Sequence, residues 1–273
     1  NGNYRENRTG VNTYSLFCPK QLRFDLRNNK FPLLTTKKCV LRQIFVELQF
    51  YLSGKTNSKL LEEQKVFVWK GNTTREFLDG RGLSHYKEGD MGPSYSFNFR
   101  HFGAQYKGYE ENYDNQGVDQ VAYCIDLIRN NPNSRRIIIN LWDASVIDEM
   151  SLPPCMFLYQ FYINNGELSC HANLRSSDTL LGLPWNIATA ALLTKMLAHT
   201  CGLKAGELIM TTNDAHIYDN QLDGIKEQLT RTPNPFPLLY INKETDDLYD
   251  IEYKDLELLN YNSYDGIKVP MVV

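Results

Sequence analysis

Phe157-Leu158-Tyr159-Gln160-Phe161-Tyr162-Ile163 and Glu167-Leu168-Ser169-Cys170-His171-Ala172-Asn173-Leu174 flank Asn164-Asn165-Gly166. Aromatic and apolar residues dominate both arms, and the intervening Asn-Asn-Gly supplies the positive-φ residues of a tight turn. The stretch therefore reads as a β-hairpin. Upstream, residues 136–142 carry Ile137-Ile138-Ile139 and read as a short buried strand. Helices are expected over residues 40–52, stopped by Gly54, and over 118–129, ended by Asn131-Pro132. Two more are expected over 187–200, with a Gly202 stop, and over 219–231, before Pro233. Strands and helices are interspersed without regular βαβ alternation. The expected class is α+β, a mixed or antiparallel sheet packed with helices, and 273 residues suit one or two domains.

With 273 residues, 42% hydrophobic and 22% charged, the chain can bury a core without staples. A formal net charge of -3 creates no global field towards nucleic acid or membrane, so any anion site must be a local pocket of arginines. No apolar run reaches the ~18 residues of a membrane helix. Six scattered cysteines without a Cys-x-x-Cys pair fit a reducing, cytoplasmic compartment. The start at Asn1 leaves room for an upstream segment.

Cys155 follows Pro153-Pro154 at the entrance to the hairpin, where a rigid pair can fix its angle. It reads either as a buried structural cysteine or as a nucleophile, and the second needs a cation to stabilise the thiolate. Arg8, Arg135, Arg136 and Arg175 offer planar guanidinium groups suited to phosphate. Two arginines directly before a buried strand demand an anion partner if they are buried. Asn186, at the end of Gly182-Leu183-Pro184-Trp185-Asn186, is either a helix cap or an amide aimed at a base edge. His216 and Tyr218 share a face if the segment is extended, and could hydrogen-bond a sugar hydroxyl. The five histidines show no metal-ligand spacing, and no phosphate-cradling glycine loop is present.

Taken in order, Arg8-Thr9-Gly10, Phe31-Pro32-Leu33-Leu34-Thr35-Thr36-Lys37, Glu47, Trp69, Gly92-Pro93-Ser94-Tyr95, Arg135-Arg136 and Pro153-Pro154-Cys155 form a specific series. It continues with Arg175-Ser176-Ser177-Asp178, Gly182 to Asn186, His216-Ile217-Tyr218 and the terminal Met271-Val272-Val273. The series resembles the folate-dependent, cysteine-using thymidylate synthase family over essentially the whole chain.

The resemblance implies reductive methylation of deoxyuridylate (dUMP) at C5 to thymidylate (dTMP). Cys155 would add to C6, and 5,10-methylenetetrahydrofolate would be the co-substrate, with no metal. It implies that Arg8, Arg175 and Ser176 bind the phosphate, and that Arg135 and Arg136 reach across a sheet-to-sheet homodimer. Asn186, with Asp178 among the substrate contacts, would read the base, while His216 and Tyr218 hold the ribose. Glu47 and Tyr95 would manage proton transfers, and Arg175 would lower the pKa of Cys155. Trp69, Asn72, Asp178, Leu181, Gly182, Trp185, Met271 and Val272 would contact the folate, with the tail closing over it. A dihydrofolate reductase, fused upstream or associated, is a further implied partner.

Met156, Asn173-Leu174, Asn213 and Phe99 depart from the family's usual His, Tyr-Gln, Gly and Trp. Leu174 cannot hydrogen-bond, so Asn173 or water must stand in for the usual Gln, or turnover is reduced. Three other readings stay open. One is a pyrimidine nucleotide hydroxymethylase on the same scaffold, and another a non-catalytic nucleotide-binding homologue. The third is a cysteine hydrolase built on Cys155, His216 and Asn220.

Overall fold

Asn165 and Gly166 both take left-handed backbone, with φ of 49° and 74°. Two successive residues of that kind are what a two-residue hairpin turn requires. In the computed structural model, which describes residues 2–272, the strands are β1 (Asn3–Arg5), β2 (Thr13–Phe17), β3 (Leu22–Asp25), β4 (Ile138–Asn140), β5 (Met156–Asn164), β6 (Glu167–Asp178), β7 (Lys204–Tyr218), β8 (Leu238–Ile241) and β9 (Leu256–Leu259). The helices are α1 (Leu41–Leu52), α2 (Lys59–Glu63), α3 (Arg75–Gly80), α4 (Tyr95–Arg100), α5 (Gln120–Asn130), α6 (Gly182–Thr200) and α7 (Leu222–Leu229). The α+β class with a mixed sheet is the observed one.

The chain forms two compact units. The first comprises the residues up to Ile44 and those from Phe161 onward. Its sheet has the strand order β1-β2-β7-β6-β5. The long β7 carries two short antiparallel strands along one edge. β2 lies opposite its C-terminal half (Thr13 beside Tyr218, Phe17 beside Asp214) and β3 opposite its N-terminal half (Leu22 beside Met210). On its other edge β7 runs parallel to β6, Ser176 beside Asp214 and Asp178 beside His216. A parallel pair needs a long crossover, and here that crossover is α6, which packs on both strands.

The alternation of β6 explains that packing. Leu168, Cys170, Ala172 and Leu174 are buried, while Ser169, His171, Asn173 and Arg175 between them are half-exposed. Successive strand side chains point to opposite faces, so Asn173 cannot take the place that Leu174 occupies. This overturns that part of the sequence expectation. Leu174 is fully buried in the apolar row, and that row suits an apolar side chain.

The second unit spans Phe45–Gln160. Its small β4 pairs with the start of β5, Ile139 beside Tyr159. Leu78, Leu83, Tyr86, Phe97, Tyr106 and Tyr113 make an aromatic-rich core. Asp119 caps α5, its carboxylate accepting from the Ala122 N–H at 2.9 Å.

Three local expectations are corrected. Helix α6 begins at Gly182, not residue 187, because Gly182, Leu183 and Pro184 fill its first turn. The proline needs no N–H there, since the first helical N–H groups have no partner within the helix. Asn186 is therefore inside the helix and Leu181 holds the cap position. The strand expected over 136–142 narrows to Ile138–Asn140, leaving Arg135 and Arg136 exposed ahead of it. The chain alone thus imposes no burial cost on these two charges. The helix expected over 219–231 divides into a 3-10 turn, Asp219–Gln221, and α7.

Candidate functional site

In the second unit, a left-handed glycine docks the segment that carries Cys155. Gly92 has φ of 68°, and a Cβ on it would collide with the Glu149 carbonyl. That close approach lets Ser94 Oγ donate to the Leu152 carbonyl at 2.9 Å. It also sets Tyr95, at the start of α4, against the residues beyond Leu152. The Tyr95 phenol oxygen accepts the Cys155 N–H at 2.6 Å and the Met156 N–H at 3.3 Å. The Cys155 thiol is half-buried, next to buried Pro154. Burial, and secondarily the charge of Cys155, push the Tyr95 phenol well above its ordinary pKa, so it holds its proton.

Glu47 lies nearby on α1 and is only 6% exposed. Its Oε1 accepts from Tyr51 Oη at 2.8 Å and from Trp69 Nε1 at 2.9 Å. Trp69 Nε1 is also 3.0 Å from Tyr51 Oη. The Tyr51 ring stacks on Tyr95 at 4.9 Å and on Phe99 at 6.3 Å. One side chain, Tyr51, thus joins Glu47, Trp69 and Tyr95. Sequence reasoning saw it only as part of an apolar helix. The i, i+4 spacing from Glu47 was the available signal. Asn72 is buried just beyond Trp69, its N–H donating to the Trp69 carbonyl at 3.1 Å.

In the first unit, the C-terminal ends of β6 and β7 gather the second group. The strand register puts Asp178 beside His216 and Ser176 beside Asp214. His216 and Tyr218 do share a face, their rings 5.2 Å apart and edge to face. His216 Nδ1 lies 3.2 Å from Asp214 Oδ1, and Asn220 is exposed. Arg175 and Ser176 are half-exposed on the same part of β6. Arg8 is exposed in the turn between β1 and β2, at the end of β2 that lies beside Tyr218.

The start of α6 adds to this group. Asp178 Oδ1 accepts from the Leu180 and Leu181 N–H groups at 3.0 and 3.1 Å. Gly182 sits between Asp178 and Asn186. A Cβ there would lie 3.6 Å from Asp178 Cβ and 3.9 Å from Asn186 Nδ2. Leu181, Gly182, Trp185 and Asn186 are all half-buried. Lys37, quoted within the Phe31–Lys37 stretch but given no role, is buried and donates to the Leu180 carbonyl. Burial lowers its pKa against the opposing pull of Cys39 and Asp178.

The tail reaches the same region. Gln221, fully buried, donates to the Pro270 carbonyl at 3.0 Å. Gly224 on α7 lets Val269 approach, since a Cβ there would be 2.6 Å from Val269 Cγ1 and 3.2 Å from Leu180 Cδ2. Met271 is exposed and Val272 half-buried, while Val273 lies outside the described residues. Among the described residues, no group of three or more His, Cys, Asp or Glu could hold a metal ion, and no helix is long and apolar enough to cross a membrane.

Comparison with known proteins bears on this arrangement. The sequence pattern of the family described as thymidylate synthase matches residues 1–273. The chain is 46% identical to the thymidylate synthase of Saccharomyces cerevisiae, over 100% of this chain and 92% of that one. It is 47% identical to the thymidylate synthase of Ascaris suum, over 97% of this chain and 90% of that one. The bifunctional dihydrofolate reductase-thymidylate synthase of Leishmania major is 47% identical, over 100% of this chain and 52% of that protein. The chain spans about half the length of such bifunctional relatives. With the pattern matched along its whole length, and this identity to proteins that it nearly covers, the chain belongs to the thymidylate synthase family.

Proposed function

We propose that the chain, acting as one catalytic domain over residues 1–273, converts deoxyuridylate to thymidylate with 5,10-methylenetetrahydrofolate as co-substrate. The observation that carries this reading is the cluster around Tyr95, which joins Cys155, Tyr51, Glu47 and Trp69. C5 of uracil becomes nucleophilic only after an atom adds at C6. Cys155 Sγ forms that bond and leaves when C5 has been substituted, a covalent strategy. Tyr95, protonated and fixed by two N–H bonds, and Glu47, fixed by two donors, supply and remove protons near the base. Arg8, Arg175 and Ser176 bind the phosphate, Asn186 reads the base beside Asp178, and His216 and Tyr218 hold the ribose. Arg175 also favours the thiolate of Cys155.

The folate, when bound, supplies the carbon unit and the hydride. Trp69, Asn72, Asp178, Leu181, Gly182, Trp185, Met271 and Val272 are the residues proposed to hold it. The half-buried apolar edge of Leu181 and Trp185, beside the Asp178 carboxylate, suits a flat heterocycle with polar ring N–H groups. Buried Trp69 favours a dry site and hence the methyl product over a hydroxymethyl one. A homodimer is proposed through the face of the first unit's sheet that α6 does not cover, where half-exposed Asn173 and Ile209 sit. Arg135 and Arg136 then serve the partner's site. The six free cysteines support a reducing, cytoplasmic setting, and a dihydrofolate reductase is proposed as fused or associated partner.

The test is tritium release from 5-tritiated deoxyuridylate. Release should be strongly stimulated by methylenetetrahydrofolate, with thymidylate as product. A hydroxymethyl product would identify the alternative chemistry, and tight nucleotide binding without release a non-catalytic homologue.

A narrower expectation concerns Tyr51. Tyr51→Phe keeps the ring stack but removes a donor from the Glu47 carboxylate. A hydrogen bond to a charged group contributes about 1.5–3 kcal/mol, so kcat should fall by about tenfold or more, with the deoxyuridylate dissociation constant unchanged. An unaltered kcat would show that Trp69 alone positions Glu47.

A further inference from the structure

A cavity of about 500 Å³, open to solvent, lies in the first unit at the N-terminal ends of β6 and β7 and the C-terminal end of α6. It is far from the candidate substrate residues at the C-terminal ends of β6 and β7. Glu167 on its wall and Asp178 are opposite ends of β6, about 35 Å apart for an extended strand. Its lining is mixed, with Leu26, Leu203 and Leu239 among its apolar residues. Lys195, from the middle of α6, lines it and is only 6% exposed. Among the described residues the Lys195 ammonium makes no hydrogen bond and no ion pair.

The other charged groups around the cavity are accounted for. Arg27 Nε donates to both Glu167 carboxylate oxygens at 3.0 and 2.9 Å, and its NH1 donates to Asp25 at 3.2 Å. Lys204 is exposed at the rim, and His199 Nε2 lies 2.6 Å from the Lys243 carbonyl. One buried cation is left without a counter-charge. Such a group is costly unless something pairs with it.

We propose that this cavity is a second binding site, for a small organic monoanion whose carboxylate pairs with Lys195 and whose apolar body rests on Leu26, Leu203 and Leu239. The one buried cation selects a monoanion, because a dianion would bring a surplus negative charge beside the Glu167 carboxylate. The cavity is large enough for a ligand of that kind. Burial lowers the Lys195 pKa to about 8, so the ammonium that the carboxylate needs is present at pH 7 and lost above pH 8.

The test uses benzoate as probe and benzyl alcohol as its uncharged counterpart, with binding followed by calorimetry and ligand-observed NMR. Benzoate should bind saturably to the wild-type protein at pH 7, and its affinity should fall as pH rises from 7 to 9.5. Lys195→Met should weaken benzoate by about tenfold or more, flatten the pH dependence and leave benzyl alcohol unchanged. Lys195→Arg should keep benzoate binding. Arg27, Glu167, Lys204, His199 and Tyr240 also face the cavity, and any pH effect of theirs would persist in Lys195→Met. Equal benzoate affinity in the parent and Lys195→Met overturns the proposal. So does a pH-independent parent, absence of saturable binding, or tighter binding of inorganic phosphate. If Lys195→Met fails to fold, the pH series and the benzyl alcohol comparison on the parent still decide. Since the readout is ligand binding and not turnover, its failure would leave the synthase reading untouched.

Discussion

Replacement of Cys155 by Ala should lower the rate of thymidylate formation by roughly 10⁴-fold or more, while the protein stays folded and still binds deoxyuridylate. The size of the effect follows from the chemistry. Without a bond to C6, C5 does not become nucleophilic, and no other residue near Tyr95 carries a comparable nucleophile. Retention of the fold follows from the structure. The segment is held by the Tyr95 phenol bonding the Cys155 backbone N–H and by Ser94 bonding the Leu152 carbonyl, neither of which involves the thiol. Loss of one half-buried sulfur should cost about 1 kcal/mol. Neither Cys39 nor Cys124 substitutes for it. Burial pushes the Cys124 thiol up to about 12 and raises that of Cys39, so both stay protonated at neutral pH. The measurements are product formation under saturating substrates and nucleotide binding by calorimetry. Near-normal turnover in the variant would remove the covalent mechanism.

Much of this arrangement was legible in the sequence, and the reasons are local. Asn165-Gly166 can close only a tight turn, so the β5–β6 hairpin could be read from two residues and their flanks. The shared face of His216 and Tyr218 followed from strand periodicity alone. The start of α6 was not legible, because Gly and Pro signal a break in general but fit the first helical turn, where N–H groups are unpaired anyway. The exposure of Arg135 and Arg136 was left open, because three isoleucines imply a longer strand than β4 provides. Tyr51 was hidden by its type. An aromatic residue on an apolar helix is ordinarily core, and its partner Trp69 is remote enough in sequence that only the fold unites them with Glu47. Lys195 illustrates the same limit. Sequence reasoning took its helix as apolar on the strength of Ala191, Leu192 and Met196, and a lysine in such a helix is expected to reach solvent. Residues 188–198 of α6 are buried, so this one reaches outward only into the cavity at the helix's C-terminal end.

Asn186→Asp should move the nucleotide preference from deoxyuridylate towards deoxycytidylate, with a change in the ratio of kcat/KM values approaching 10⁴-fold. Uracil presents an N3–H donor beside an O4 acceptor, and one amide can meet both, accepting from the first and donating to the second. Cytosine presents the reverse, an N3 acceptor beside an N4 donor. A carboxylic acid can donate to N3 and accept from N4, whereas it has no donor for O4 once ionised. The surroundings bear on that protonation. Asp178 and Asn186 neighbour Gly182 from two sides, so a carboxyl introduced at Asn186 would face a like charge, which favours its protonated form. The N-terminal turn of α6 opposes this by up to about 1 kcal/mol, and cytosine N3 then selects the acid by accepting its proton. Helix capping cannot account for Asn186, because Leu181 occupies the cap position and Asn186 lies inside the helix. A purely structural Asn would therefore predict a change in stability with the ratio unaltered. Measuring kcat/KM of the variant for both nucleotides separates the two cases, and a ratio at the parent value would mean that Asn186 does not read the base.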